Sequence, residues 1–261
     1  MIIIYILTFL FGAVIGSFLN VCIFRLPRNL SIISPSSRCP SCHSPIRPYD
    51  NIPIISYIIL KGRCRDCGST IPIRYPFVEL LNAIMYIFII WRFGLGWHIP
   101  FMFAFISGLI VITFIDLDFQ VIPDSITLPG TLIGLLSASI TTPDPFSRGY
   151  HVGIINSLVG IISGGGLFYL IAILGERAFG QEAMGGGDIK LMAMIGSFLG
   201  WKSILLTTFA ASLVGSIAGI ILMIIKGRGK GLKVPFGPFL ALGAALSLFF
   251  GQEILYLYLG R

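Results

Sequence analysis

The sequence predicts an all-α, polytopic membrane protein of about eight transmembrane helices, with a small cytoplasmic zinc-ribbon insert. Three observations lead there. The residues AVILMFWYC make up 56% of the 261-residue chain and charged residues only 11%, against roughly 25% charged in ordinary soluble domains. That apolar share, with a mean hydropathy of +0.93, gathers into about eight segments divided by polar stretches. Two C-x-x-C pairs stand in the only polar segment of any size.

The first apolar segment, Ile2–Phe24, carries no charge before Arg25 and no basic leading region. Residues 1–24 therefore read as a retained span and not a cleaved signal peptide. Residues 25–76 form the insert, and residues 77–261 a helical membrane domain. Within that domain the apolar segments run near Phe77–Trp91, Pro100–Ile115, Ile126–Thr142, Val152–Leu174, Ile189–Gly200, Ser203–Ile225 and Phe236–Leu259. The sixth segment of the chain, with 12 residues, is too short to cross ~30 Å of hydrocarbon unaided. It calls for flanking residues, a thinned bilayer or burial among other helices.

Basic residues set the orientation. With the N-terminus outside, the inner segments 25–76, 116–125, 175–190 and 226–235 hold 8, 0, 2 and 4 Lys or Arg, 14 of the 18. The reverse topology inverts that ratio. The net charge of +7 is thus mostly an orientation signal. No aromatic-interleaved basic patch accompanies it, which argues against nucleic acid as a partner.

In the insert, Cys39 and Cys42 (CPSC) and Cys64 and Cys67 (CRDC) are separated by 21 residues. Two such knuckles read as a zinc ribbon, since each tight turn aims two thiolates at one tetrahedral ion. Four thiolates fill the coordination shell, so the role is structural, and an insert this small gains much of its folding free energy from the metal. A redox dithiol pair is the competing reading. His43 adjoins Cys42 but is not needed as a fifth ligand.

Carboxylates within membrane segments are costly and mark function. Asp116, Asp118 and Asp124 occupy FIDLDFQVIPDS at the exit of the third span, and Asp188 follows three glycines, Gly185, Gly186 and Gly187, at the entrance of the sixth. Topology puts Asp116 and Asp188 on the same membrane face at similar depth. Two carboxyl groups side by side do not both ionise readily, so one holds a proton while the other does not. Such a pair can activate water against a peptide carbonyl. Helix polarity favours the anion on Asp188, which opens a helix, over Asp116, which closes one. A helix N-cap is the ordinary reading for Asp188 and, after Pro123, the preferred one for Asp124. Asp124 and Lys190 are grouped with the glycines as supporting residues.

The motifs FIDLDFQVIPD and MGGGDIK, with GSFLNV (Gly16–Val21), RLP (Arg25–Pro27), the cysteine pairs, NIPIISY (Asn51–Tyr57), RYPFVEL (Arg74–Leu80) and PFGP (Pro235–Pro238), occur in an order that resembles the bacterial type IV prepilin leader peptidase/N-methyltransferase family. The resemblance covers nearly the whole chain. It implies a GxGD aspartic protease of the bacterial cytoplasmic membrane, with its active site facing the cytoplasm. The enzyme would cut the basic leader from type IV prepilins or secretion pseudopilins, with Asp116 and Asp188 as the catalytic pair. It also implies N-methylation of the new N-terminus with S-adenosylmethionine, for which Asn20, Arg25, Arg74 and Glu79 at the membrane–insert junction are candidates. Their ordinary readings are snorkelling anchors for the arginines, an interhelical hydrogen bond for Asn20 and an ionic partner for Glu79. The alternatives are a peptidase that does not methylate and a carboxylate-dependent transporter.

Overall fold

Each apolar segment becomes a helix, because backbone N–H and C=O groups in hydrocarbon must be satisfied within their own segment. The computed structural model describes residues 1–147, 149–179, 184–226 and 234–259. The helices are α1 (Ile2–Arg25), the short α2 (Ile55–Ile59) in the insert, α3 (Arg74–Phe93), α4 (Ile99–Phe119), α5 (Asp124–Ile140), α6 (Gly153–Phe179), α7 (Gly186–Leu199), α8 (Trp201–Lys226) and α9 (Gly237–Leu259). Among the described residues β pairing is limited to isolated bridges. Six of the described helices, α1, α3, α4, α6, α8 and α9, are long and apolar enough to cross a membrane. The other two of the eight expected segments are the 17-residue α5 and the 14-residue α7. Of the basic residues used for orientation, Arg148, Arg228, Lys230, Lys233 and Arg261 lie outside the described residues.

The contacts divide the chain into two compact units, Met1–Leu95 and Gly96–Arg261. The sequence reading placed the boundary at residue 76; packing moves it beyond α3, because α3 lies along α1. Small residues on α1 let the two backbones approach. A Cβ on Gly16 would stand 2.6 Å from the Cα of Glu79, and one on Gly12 2.7 Å from the Cα of Ala83. Buried amides seal the seam, with Asn82 Nδ2 donating to the Gly12 carbonyl at 2.7 Å and Asn20 Nδ2 to the Tyr75 carbonyl at 3.0 Å.

In the second unit α7 is the innermost element. At 1.5 Å per residue it reaches only about 21 Å, and Leu191, Met192 and every residue from Met194 to Leu199 are buried. Of the three ways to house so short a segment, burial among neighbouring helices is the one used. The α6–α7 crossing is made by Gly160 and Gly196, where a Cβ on either residue would overlap the other's carbonyl. Ser157 Oγ donates to the Ser197 carbonyl at 2.6 Å beside it.

This crossing should tolerate no side chain. Gly196→Leu is expected to destabilise the protein by about 2 kcal/mol or more, because the backbones would have to separate. Gly166→Ala in α6, where nothing lies within 4 Å of the added Cβ, should be neutral or slightly stabilising. Thermal unfolding of the two variants in detergent checks the contrast.

Candidate active site and metal centre

Helix α4 stops just after Asp116. Gln120 takes the left-handed conformation (φ 55) and its N–H closes on the Asp116 carbonyl at 2.9 Å. The chain then turns through Ile122 to start α5, leaving the Asp116 side chain inside at 5% exposure. Its Oδ2 accepts the N–H of Gly237, the first residue of α9, at 2.8 Å. A Cβ on Gly237 would lie only 2.7 Å from that oxygen. Glycine is needed here for space, so that a main-chain donor can reach the carboxyl.

Asp188 is the third residue of α7, and its N–H bonds the Gly185 carbonyl at 3.1 Å. The helix thus begins earlier than the apolar pattern suggests, with Gly185 as its N-cap and Gly186 and Gly187 as its first two residues. The N-cap reading of Asp188 is therefore corrected, since Gly185 holds that place. A Cβ on Gly187 would stand 2.8 Å from Cβ of Ile122, and one on Gly237 3.3 Å from Cδ1 of the same side chain. Ile122, 8% exposed, therefore touches both glycines and draws the starts of α7 and α9 to the end of α4. Asp116 and Asp188 come within electrostatic reach of one another. Asp188 Oδ1 is buried and has no hydrogen-bond partner among the described residues. Asp188 does lie in the first turn of α7, as the helix-polarity argument requires, and Asp116 in turn meets the N-terminus of α9, so helix polarity acts on both acids.

Neither Ile122 nor Gly237 was assigned a role from sequence. Gly237 lay within the quoted PFGP motif, and a glycine framed by prolines at a helix start was the available signal. Asp124 is also corrected. Pro123 is the N-cap of α5, with no side-chain cap bond, and the Asp124 carboxylate instead binds Lys190 Nζ at 2.8 and 2.6 Å. The pair ties the first turns of α5 and α7 together. Both partners are about half exposed, so the bond contributes under about 1 kcal/mol. Asp144 lies 3.7 Å from Lys202.

In the first unit the two cysteine pairs form matching knuckles. His43 N–H bonds the Cys39 carbonyl at 2.9 Å and Cys39 N–H the Ser44 carbonyl at 3.0 Å; Gly68 N–H bonds Cys64 at 2.9 Å and Cys64 N–H bonds Ser69 at 2.8 Å. His43 and Gly68 both take positive φ, so His43 serves as a turn residue equivalent to a glycine. The four sulfurs all lie within 4.8 Å of one another, with Cys39–Cys67 at 3.9 Å and Cys42–Cys64 at 4.0 Å. A tetrahedral tetrathiolate with metal–sulfur bonds of about 2.3 Å needs sulfurs roughly 3.8 Å apart. The donor set fits one metal ion. The main-chain N–H of Cys42 above all brings the Cys39 thiol down to about 6. Against the main-chain N–H of Cys67, burial and the neighbouring sulfurs of Cys39 and Cys67 push Cys64 up to about 11. The cluster shares its protons, and a metal ion must displace them.

The four junction residues fare differently. Asn20 is buried, and its Oδ1 has no partner among the described residues. Arg25 does not snorkel away; it donates to the carbonyls of Ser31 at 2.8 Å and Pro35 at 2.7 Å, strapping the insert to the end of α1. Arg74 opens α3. Glu79, 8% exposed, pairs with neither arginine. Its Oε2 accepts the Ile54 N–H at 2.7 Å, and Ser17 lies beside the same carboxyl.

Residues 103–220 match the type IV leader peptidase family, and residues 10–93 match the bacterial peptidase A24 N-terminal domain. The prepilin leader peptidase/N-methyltransferase of Pseudomonas aeruginosa is 34% identical over 97% of this chain and 92% of its own. Proteins of the same description from Myxococcus xanthus and Neisseria gonorrhoeae are 38% and 34% identical, over 84% and 87% of this chain and 63% and 84% of theirs. No solved structure matches the chain.

The sulfur geometry predicts one tightly bound divalent metal ion per chain in protein purified without chelator. Cys64→Ser should lower that content by at least about half and make the insert protease-sensitive, because metal binding supplies folding free energy. Elemental analysis with limited proteolysis reads both.

Proposed function

The chain belongs to the type IV leader peptidase family, and on that premise we propose that it removes the basic leader of type IV prepilins or pseudopilins through Asp116 and Asp188 and methylates the amine so exposed. The observation that supports the pair most directly is Ile122 seated against both Gly187 and Gly237, which draws two acids 72 residues apart in sequence to one place.

The chemistry follows from two adjacent carboxyl groups of opposite protonation. The ionised one takes a proton from water as the water oxygen bonds to the scissile carbonyl carbon; the protonated one hydrogen-bonds the carbonyl oxygen as it gains charge. Collapse of the tetrahedral adduct breaks the C–N bond, and a proton passes to the departing nitrogen. No covalent enzyme intermediate is required. The Gly237 N–H fixes one oxygen of Asp116 and so aims the other, while the glycines before Asp188 leave room for an extended substrate main chain.

A prepilin carries basic residues in the cytoplasm and an apolar helix in the bilayer. Its cleavage site then lies at the inner interface, where the Lys and Arg distribution places both acids. The protein is a multi-pass protein of the bacterial inner membrane, N-terminus outside. The four cysteines hold Zn²⁺ in a structural role. S-adenosylmethionine supplies an electrophilic methyl group whose bonding pair leaves with sulfur; Asn20, Arg25, Arg74 and Glu79 are this chain's candidates for the methyl-transfer site.

Asp116→Asn and Asp188→Asn should each lower cleavage of a prepilin by at least about 10²-fold, the scale on which positioned acids and bases act. Both variants should still methylate a substrate supplied already cleaved. Mass spectrometry of the pilin N-terminus separates the two products, and near-parental cleavage by either variant would remove the dyad. Gly237→Ala should lower kcat by about 10-fold or more with little change in KM, since its Cβ displaces Asp116 without touching a remote part of the substrate. Steady-state cleavage kinetics decide it.

A further inference from the structure

Both acids lie within residues 103–220, and the N-terminal match covers residues 10–93 without either. A second activity needs its own site, and the first unit contains a concave surface with the mixed polar and apolar lining that suits a small molecule. It is a cavity of about 310 Å³ between one face of α1 and the loop leading into the first knuckle, at the lower end of the roughly 300–1,000 Å³ typical of ligand pockets. From α1 come Ser17, Phe18 and Arg25, and from the insert Ser36, Ser37 and Asn51. Aliphatic side chains, among them Val21 and Ile32, fill the wall between them.

We propose that this cavity binds the methyl donor, S-adenosylmethionine, a proposal that rests on the methyl-transfer reading above. The lining offers a complement to each part of that molecule. Phe18 presents a ring on which an adenine can stack. The hydroxyls of Ser36 and Ser37 and the amide of Asn51 suit ribose hydroxyls. Arg25 spends two of its five N–H donors on the carbonyls of Ser31 and Pro35, leaving three for a carboxylate. Those two bonds also hold the guanidinium in place at the rim. The ligand is cationic at sulfur, and Ser17 in the wall lies beside the buried Glu79 carboxyl, an acidic group one side chain behind the lining.

The backbone segment that meets Glu79 is strained at one residue. Ile54 holds φ 61, a region costly for a β-branched residue, and its N–H is the one that meets Glu79 at 2.7 Å. Pro53, next to it, lines the cavity. The strained turn therefore couples the acid to the cavity wall. Glu79 acts here as a positioning residue, holding Ser17 and the 51–54 turn in the shape that closes the pocket.

The test uses the full chain in detergent or nanodiscs and equilibrium binding of radiolabelled S-adenosylmethionine, with ultraviolet cross-linking and peptide mapping. Label should map to peptides containing Phe18 or residues 32–37. Ser36→Trp and Ser37→Trp, which fill the cavity, should each weaken donor binding at least tenfold, with prepilin cleavage within twofold of the parent and metal content unchanged. Glu79→Gln should weaken binding less than Glu79→Ala, because the amide keeps the Ile54 contact. If the parent binds and transfers methyl while both Trp variants bind the donor equally well, the cavity is not the site. That includes the outcome in which the variants raise KM for the pilin alone, which would assign the cavity to the substrate N-terminus. If the parent cleaves but neither binds the donor nor methylates, the methyl-transfer reading itself falls. Cleavage lost together with binding in both variants would also overturn the proposal, because the cavity would then serve the general fold.

Discussion

The arrangement of this protein depends on one contact, the Ile122 side chain held between Gly187 and Gly237. Carboxyl groups near hydrocarbon are expensive to bury, and two together more so. They persist only where the surrounding structure dictates their place. Ile122 does this with apolar packing alone, at the point where α4 has just ended and α5 has not begun. Because it contacts glycines at the first turns of two other helices, the starts of α7 and α9 cannot shift without losing buried surface. The acids take their positions from that three-way contact, and the Asp124–Lys190 bond, which is half exposed, only reinforces it.

Close helix packing makes the contact rigid. In lipid, helices gain little from burying apolar surface against one another, so van der Waals fit between small residues decides which faces meet. The Gly160–Gly196 crossing fixes α7 against α6 along its length, and Gly12 and Gly16 do the same for α1 against α3. Serine and asparagine side chains bond across these seams to backbone carbonyls, which helices normally keep for themselves. A 14-residue helix would be a poor membrane span, but it is a good buried strut.

Much of this was legible in the sequence because it rests on local signals. Among the described residues the eight helices other than α2 lie where apolar runs place them, the cysteine spacing gives the knuckles, and the two acids at the ends of apolar segments mark the candidate centre. What was not legible depends on distant pairing. Gly237 reaches Asp116 across 121 residues, and Ile54 reaches Glu79 across 25; no periodicity links either pair. Asp124 looked like a cap because Asp after Pro is a common cap, whereas Lys190, on another helix, competes for its carboxylate. The boundary at residue 76 followed composition, while contact follows the glycines of α1 that hold α3. The apolar pattern starts at Ile189 because helix propensity disfavours glycine, and packing on Ile122 carries the helix back through Gly187 and Gly186.

The two units share a device. In each, a buried carboxyl accepts a main-chain N–H at about the same distance, 2.8 Å from Gly237 on Asp116 and 2.7 Å from Ile54 on Glu79. A side-chain donor would bring conformational freedom and its own charge or volume into the site. A main-chain donor brings neither, but the backbone must come unusually close. One unit permits this by having no side chain at residue 237, the other by holding residue 54 at positive φ. The strain or loss of packing is local, and the resulting donor cannot rotate away. An acid so held has one oxygen fixed by the backbone, which sets the direction of the other, the condition a carboxyl must meet to handle a proton at a chosen atom.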